Sequence, residues 1–196
     1  MTDLGTSSPV VAPDGSIFYG AQTIYNGRRG HLFRFTAEGT LAGVYGYGWD
    51  ITPAIDPHDG TFSVLVKDYT YGTDANGVVT GPFYIRQLSA DLSSVEWTFQ
   101  STNTESCRRN PAGTLTCVSD HPNGFEWCIN APAVDAVGNV YANSEDGRLY
   151  VIGQGGIEIG SLFTNLALGA AYTPLAIGPD GLIYTQNDGH LFVIGQ

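Results

Sequence analysis

The amino-acid sequence predicts an all-β fold. Three observations lead to it. First, 26 glycines and 12% aromatic residues stand against 14% charged residues, the composition of short strands and tight turns rather than of helices built on Ala, Glu, Lys and Leu. Second, the apolar runs are short, rich in β-branched and aromatic residues, and broken at Gly corners. Third, the same run recurs along the chain, the mark of a repeat architecture. With 196 residues, 42% of them hydrophobic, the chain can bury one sizeable core. Residues 1–196 are therefore expected to form a single domain.

The repeat is clearest in four segments, "SPVVAPDGSIFYG", "TPAIDPHDGTFSV", "APAVDAVGNVYAN" and "TPLAIGPDGLIYTQ". Their prolines are Pro9, Pro53, Pro132 and Pro174, a period of roughly 43 residues with one near-double interval in the middle. In each copy the first apolar run is a short strand: Val10 and Val11, Ala54 and Ile55, Ala133 and Val134, Leu175 and Ala176. Proline precedes it, where no ladder hydrogen bond is lost. Gly15, Gly60, Gly138 and Gly181 then turn the chain, supplying the positive φ of a tight hairpin. Second strands follow as "SIFYG", "TFSVLV", "NVYAN" and "LIYTQ", and third strands as "GHLFRF", "PFYIRQL", "GRLYVI" and "GHLFVI". Fourth strands read as "TLAGVY", "SVEWTF" and "IEIGSLF". Four antiparallel strands per repeat make one blade of a β-propeller. Neighbouring blades must stack, because a lone blade leaves both faces exposed. The prediction is four clear blades, or five if residues 101–128 hold a degenerate one. Those residues read equally well as a long loop carrying a hairpin. The leading residues Thr2–Gly5 are expected to pair beside Leu191–Ile194 and fasten the ring.

The pattern S/T-x-P-x-x-x-x-D-G-x-x-Y…D-G-x-L-x-x-I resembles the repeat of the pyrroloquinoline-quinone-type propellers. That superfamily includes quinoprotein alcohol dehydrogenases and the propeller lipoprotein of the outer-membrane assembly machine. The resemblance implies the fold and says little of function, because one superfold hosts many activities. In the dehydrogenase branch each blade ends in a Trp docking motif, and the cofactor site has a vicinal disulfide. Here Trp97 stands in the Trp place, and no two cysteines are adjacent. No quinone cofactor is expected.

A formal net charge of −11 and a single lysine, Lys67, leave no basic surface to neutralise phosphates. Nucleic acid and anionic membranes are not expected partners. No apolar run reaches membrane-spanning length, and "MTDLGTSSPVV" lacks the features of a signal peptide. The low lysine content favours an exported, periplasmic or extracellular protein. Cys107, Cys117 and Cys128 lie in one stretch without metal-ligand spacing. A disulfide there and three buried thiols are equal readings.

In a propeller, the loops entering the innermost strands and those joining second to third strands gather on one face, the default ligand site. The entering loops carry Trp49, Asp50, Asn130 and Tyr172. The others carry Asn143, Glu145, Asp146, Gln186, Asn187 and Asp188. Trp49, Asp50, Asn130, Tyr172 and Gln186 are the candidate ligand face. Oxygen-rich side chains converging from several blades suit Ca²⁺, so Asp50, Asn130, Asn143, Glu145, Asn187 and Asp188 form a candidate Ca²⁺ ligand pool. The same residue types are also favoured in tight turns. His31 and His190 occupy equivalent "GHLF" places and are candidates for a general base or ligand. No Gly-x-Ser-x-Gly elbow is present.

Three functional readings follow. The protein is a non-catalytic propeller that binds a small molecule or a protein on its loop face, a Ca²⁺-dependent hydrolase of lactone or ester substrates, or a fragment without activity of its own. A monomer is expected, or a dimer if the chain is a half-ring.

Overall fold

The computed structural model describes residues 5, 7–24, 29–47, 51–75, 79–127, 129, 131–169 and 174–195, among which there is no helix. Blade one is β1 (Val10–Val11), β2 (Ile17–Ile24), β3 (Arg29–Phe35) and β4 (Leu41–Tyr47), an antiparallel meander in that order. Blade two begins with β5 (Ala54–His58) and β6 (Thr61–Tyr69). A small ribbon of β7 (Gly72–Thr73) and β8 (Val79–Thr80) leads to β9 (Phe83–Ser89) and β10 (Val95–Phe99), which complete the sheet. A separate hairpin, β11 (Glu105–Arg109) and β12 (Leu115–Ser119), comes next. Blade three is β13 (Ala133–Val134), β14 (Val140–Asn143), β15 (Arg148–Gly153) and β16 (Ile157–Phe163). Blade four is β17 (Ala176–Ile177), β18 (Ile183–Asn187) and β19 (His190–Ile194).

Each corner is a glycine where the repeat requires one. Gly15, Gly60, Gly138 and Gly181 all have φ between 76° and 83°, a region that a Cβ disfavours. Short innermost strands of successive blades, β5 and β13, lie side by side. That radial stacking of antiparallel meanders is a β-propeller arrangement.

Strand side chains alternate between two faces, so each blade has a backward face toward the blade before it and a forward face toward the next. Phe18, on the forward face of blade one, meets Phe62 of blade two edge-on, with ring centroids 5.9 Å apart. Leu32, Ile51, Val64, Leu65, Ile85, Leu88, Ile129, Val140 and Ile152 belong to the same continuous apolar cluster.

Polar pins cross each seam. Between blades one and two, Tyr45 and Arg86 both donate to Asp68 Oδ2, at 2.6 and 2.5 Å. Asp68 is buried, and its charge is met by the guanidinium, as burial demands. Between blades two and three, Gln154 Nε2 donates to Asp56 Oδ2 at 3.2 Å and to the Gly138 carbonyl at 2.8 Å. Between blades three and four, Asn143 and Thr185 bond side chain to side chain.

The near-double interval is now accounted for. Over residues 101–127 the chain forms the two-stranded β11–β12 hairpin. Cys107 and Cys117 face each other across the hairpin and are joined by a disulfide. Every residue of β12 is exposed, which is why this segment cannot supply a blade's core. Of the expected ring fastening, Thr2, Asp3 and Leu4 lie outside the described residues. Gly5 sits against Tyr19 and Gly20 of β2, in blade one rather than beside β19.

Candidate functional site

The loop face assembles a polar cluster at the junction of blades two and three. Its floor comes from β6, whose run "TFSVLVKDY" is almost wholly buried. Alternation puts Ser63, Leu65, Lys67 and Tyr69 on the forward face, toward blade three. Lys67, the only lysine of the chain, is therefore carried into the interior; it is 1% exposed. Its Nζ lies 5.7 Å from the centre of the Tyr69 ring, within cation–π range.

Trp127 closes the floor. Its backbone N–H donates to Tyr69 Oη at 2.5 Å, that hydroxyl donates to the Trp127 carbonyl at 2.6 Å, and the indole N–H donates to the Phe83 carbonyl at 3.2 Å. With every polar group on the ring and its backbone held, the segment before the entering loop of blade three has one orientation. Glu126, the adjacent residue, is thereby placed on the loop side.

Glu126 Oε2 accepts a 3.1 Å hydrogen bond from the Tyr71 hydroxyl. Burial, and then repulsion from Glu145, push its carboxyl up to about 7, against the smaller opposing effects of Tyr71 and Lys67. Glu145 is brought alongside by backbone pairing: its N–H donates to the Glu126 carbonyl at 3.0 Å, and its own carbonyl accepts from Leu168 N at 2.5 Å. The second-to-third-strand loop of blade three and the segment entering that blade are thus tied together. Two half-buried carboxyl groups, a phenol and an ammonium share one site. A carboxyl that titrates near neutrality can both donate and accept hydrogen bonds at pH 7.

Of the residues expected from the sequence, Trp49, Asp50, Asn130 and Tyr172 lie outside the described residues. Glu145 is in the cluster. Asn143, Asn187 and Asp188 occupy the expected loops, but their side chains serve the scaffold. Asn143 Oδ1 accepts from Thr185. Asn187 Oδ1 accepts from Leu166 N at 2.8 Å while its Nδ2 donates to the Leu166 carbonyl at 3.0 Å. Asp188 Oδ2 accepts from Asn165 at 2.8 Å. Asp146 is buried and accepts from Tyr150, Asn103 and the Arg148 N–H. Gln186 is exposed on β18, cross-strand from Leu191. His31 packs beside Phe33, with ring centroids 5.8 Å apart, and the exposed His190 donates from Nδ1 to the Asp188 carbonyl. Among the described residues no contact joins the two histidines.

Glu126, Lys67 and Tyr71 went unread as site residues. A lone lysine inside an apolar strand was the available signal for Lys67. Glu126 sits in the irregular stretch that carries no repeat register.

On the opposite face His58, which with Asp56, Gln87, Gly138 and Gln154 walls a cleft of about 400 Å³, pairs with Ser63 behind it. His58 Nε2 is 2.8 Å from Ser63 Oγ, and Ser63 Oγ donates to Glu96 at 2.6 Å. With its proton on Glu96, the serine hydroxyl accepts from the imidazole. Ser63 is fully buried, so this pair is structural and lacks the geometry of an activated nucleophile. Among the described residues, the one set of three or more His, Cys, Asp and Glu groups close enough to share a metal is Glu105, Cys107 and Cys117, whose sulfurs are already joined.

No family profile and no curated protein matches the chain. Among solved structures, it is similar to a protein of unknown function from Bacteroides caccae, at 12% identity and TM-score 0.48, over 93% of this chain and 53% of that one. A protein provisionally named a gluconolactonase matches at 19% identity and TM-score 0.46, over 93% of this chain and 55% of that one. BamB from Moraxella catarrhalis matches at 13% identity and TM-score 0.39, over 96% of this chain and 58% of that one. The chain spans little more than half the length of these proteins.

Proposed function

We propose that the protein binds a small polar molecule on its loop face, at the cluster of Lys67, Tyr71, Glu126 and Glu145. One observation carries this reading. Glu126 and Glu145 are held together against their repulsion by a Trp127 anchor and paired backbone, beside the chain's only lysine. A fold gains nothing in stability from two crowded carboxyl groups, whereas a ligand with hydroxyl and carbonyl groups finds in them acceptors and a donor at once. The repeat pattern is the support for assigning the blades to the pyrroloquinoline-quinone type.

The test is a thermal-shift screen of hydroxy acids, lactones and sugars against the wild type, Glu126→Gln and Lys67→Met. At least one compound is expected to raise the wild-type Tm and to lose that effect in both variants. If every shift survives both substitutions, binding lies elsewhere.

A second reading, a Ca²⁺-dependent hydrolase of lactones or esters, is favoured by the same repulsion, which a divalent cation would relieve. Asn143, Asn187 and Asp188 are committed to protein partners, so this reading places the cation beside Glu126 and Glu145. Bound there, the ion would polarise an ester carbonyl. EDTA is expected to lower the Tm and Ca²⁺ to restore it; no response to either ends this reading.

A further inference from the structure

Repeat-equivalent positions show which blade faces are meant to be covered. The leucine near the start of the third strand is Leu32 in blade one, Leu149 in blade three and Leu191 in blade four. It lies on the forward face, cross-strand from Gly20, Asn143 and Gln186 respectively. Leu32 is 0% and Leu149 2% exposed, because a following blade packs on each, whereas Leu191 is 63% exposed. Val193, paired with Tyr184 on the same face, is 52% exposed.

The opposite end of the arc shows the converse. On the backward face of blade one, the row Val11, Ile17, Phe35 and Leu41 crosses all four strands. Val11 is 68% exposed, and the middle residues Ile17 and Phe35 are half-buried. The corresponding row of blade three contains Val140 and Ile152, each 0% exposed beneath the blade before it. Among the described residues no hydrogen bond or strand pairing joins β17–β19 to β1–β4.

We propose that these faces are the two halves of a head-to-tail interface between copies of this chain. Blade four of one copy stacks on blade one of a second, and the reciprocal contact closes a two-copy ring. The interface continues the forward-on-backward packing that already joins blades one to two and three to four. Neither exposed row carries a charge, so stacking leaves no ion buried without a partner. Such a contact uses different patches on the two copies, and this gives it a signature that a face-to-face dimer lacks.

The experiment is sedimentation or light scattering of the purified chain at about 100 μM, where a contact of micromolar strength is saturated. The wild type is expected at twice the monomer mass. Leu191→Asp, which spoils the forward face, and Val11→Asp, which spoils the backward face, are each expected to be monomeric with unchanged circular dichroism. An equimolar mixture of the two is expected to recover a dimer, because one intact forward face then meets one intact backward face. Ile159→Asp, at an exposed position on β16, is expected to keep the wild-type mass. A monomeric wild type, a mass other than two copies, or a mixture that stays monomeric overturns the proposal.

Discussion

Asn143 Nδ2 donates to Thr185 Oγ1 at 2.7 Å, and that hydroxyl donates back to Asn143 Oδ1 at 2.9 Å. Both side chains are buried, one on the forward face of blade three and the other on the backward face of blade four. The pair is the polar pin of that seam. Thr185→Val keeps the shape and leaves the amide buried with its partner gone, at a cost of about 2 kcal/mol. Chemical denaturation should show the midpoint falling, with Thr185→Ser closer to wild type. Equal stability of Val and wild type would mean that the pin contributes nothing.

The Asp68, Arg86 and Tyr45 pin is charged, so its failure should be larger. Burial and the Asp68 carboxylate push the Tyr45 phenol up to about 12, so the tyrosine remains a donor throughout the ordinary pH range. Asp68→Asn leaves the half-buried guanidinium without its counter-charge, at a cost of about 3 kcal/mol. The double variant Asp68→Asn, Arg86→Met should recover part of that loss in a denaturation series. Additive losses would show that the two residues are not coupled.

Glu126 makes stability depend on pH. Its folded carboxyl titrates at about 7, above an ordinary value of 4.5, so between those values the folded state holds a proton that the unfolded state has released. Its contribution is full below about 4.5 and is lost as pH rises through about 7. Glu126→Gln should therefore flatten the decline of Tm between pH 5 and pH 8 and leave the variant more stable than wild type at pH 8. A Tm profile parallel to wild type would remove the Glu126–Glu145 repulsion from the account.

The Cys107–Cys117 bond closes a short, exposed hairpin. Reduction should act locally: amide exchange over Leu115–Ser119 should accelerate while the Tm, set by the blade core, moves little. The denatured, unreduced chain should titrate with one free thiol, since three cysteines less one bond leave one. Three reactive thiols would show that the bond does not form.

Strands and corners were legible because each depends on local chemistry. Gly138 and Gly181 mark turns wherever the backbone needs positive φ, and "GRLYVI" and "GHLFVI" alternate as β15 and β19 do. The region between Phe99 and Ala133 was not legible, because a hairpin fastened by Cys107 and Cys117 carries no repeat period. Glu145 lies in the loop where the sequence places it, paired through its backbone with Glu126. Asn143 and Asn187 were read from the same kind of evidence but serve the scaffold. Residue type and loop position are identical for the two roles; the difference is whether a neighbouring blade presents a partner such as Thr185 or the Leu166 backbone.

Periodicity and turn chemistry, written in the sequence alone, determined that this protein is a series of antiparallel blades and where their glycine corners fall. The tertiary structure decided which faces are covered and which groups meet. Lys67, Tyr71, Glu126 and Glu145 come from three separate segments and converge only when blades two and three stack. Leu149 and Leu191 occupy equivalent places in "GRLYVI" and "GHLFVI", and only packing makes one a core residue and the other an open surface. Strand-forming preference acts over a few residues, whereas burial and electrostatic coupling act between residues that the chain itself keeps far apart.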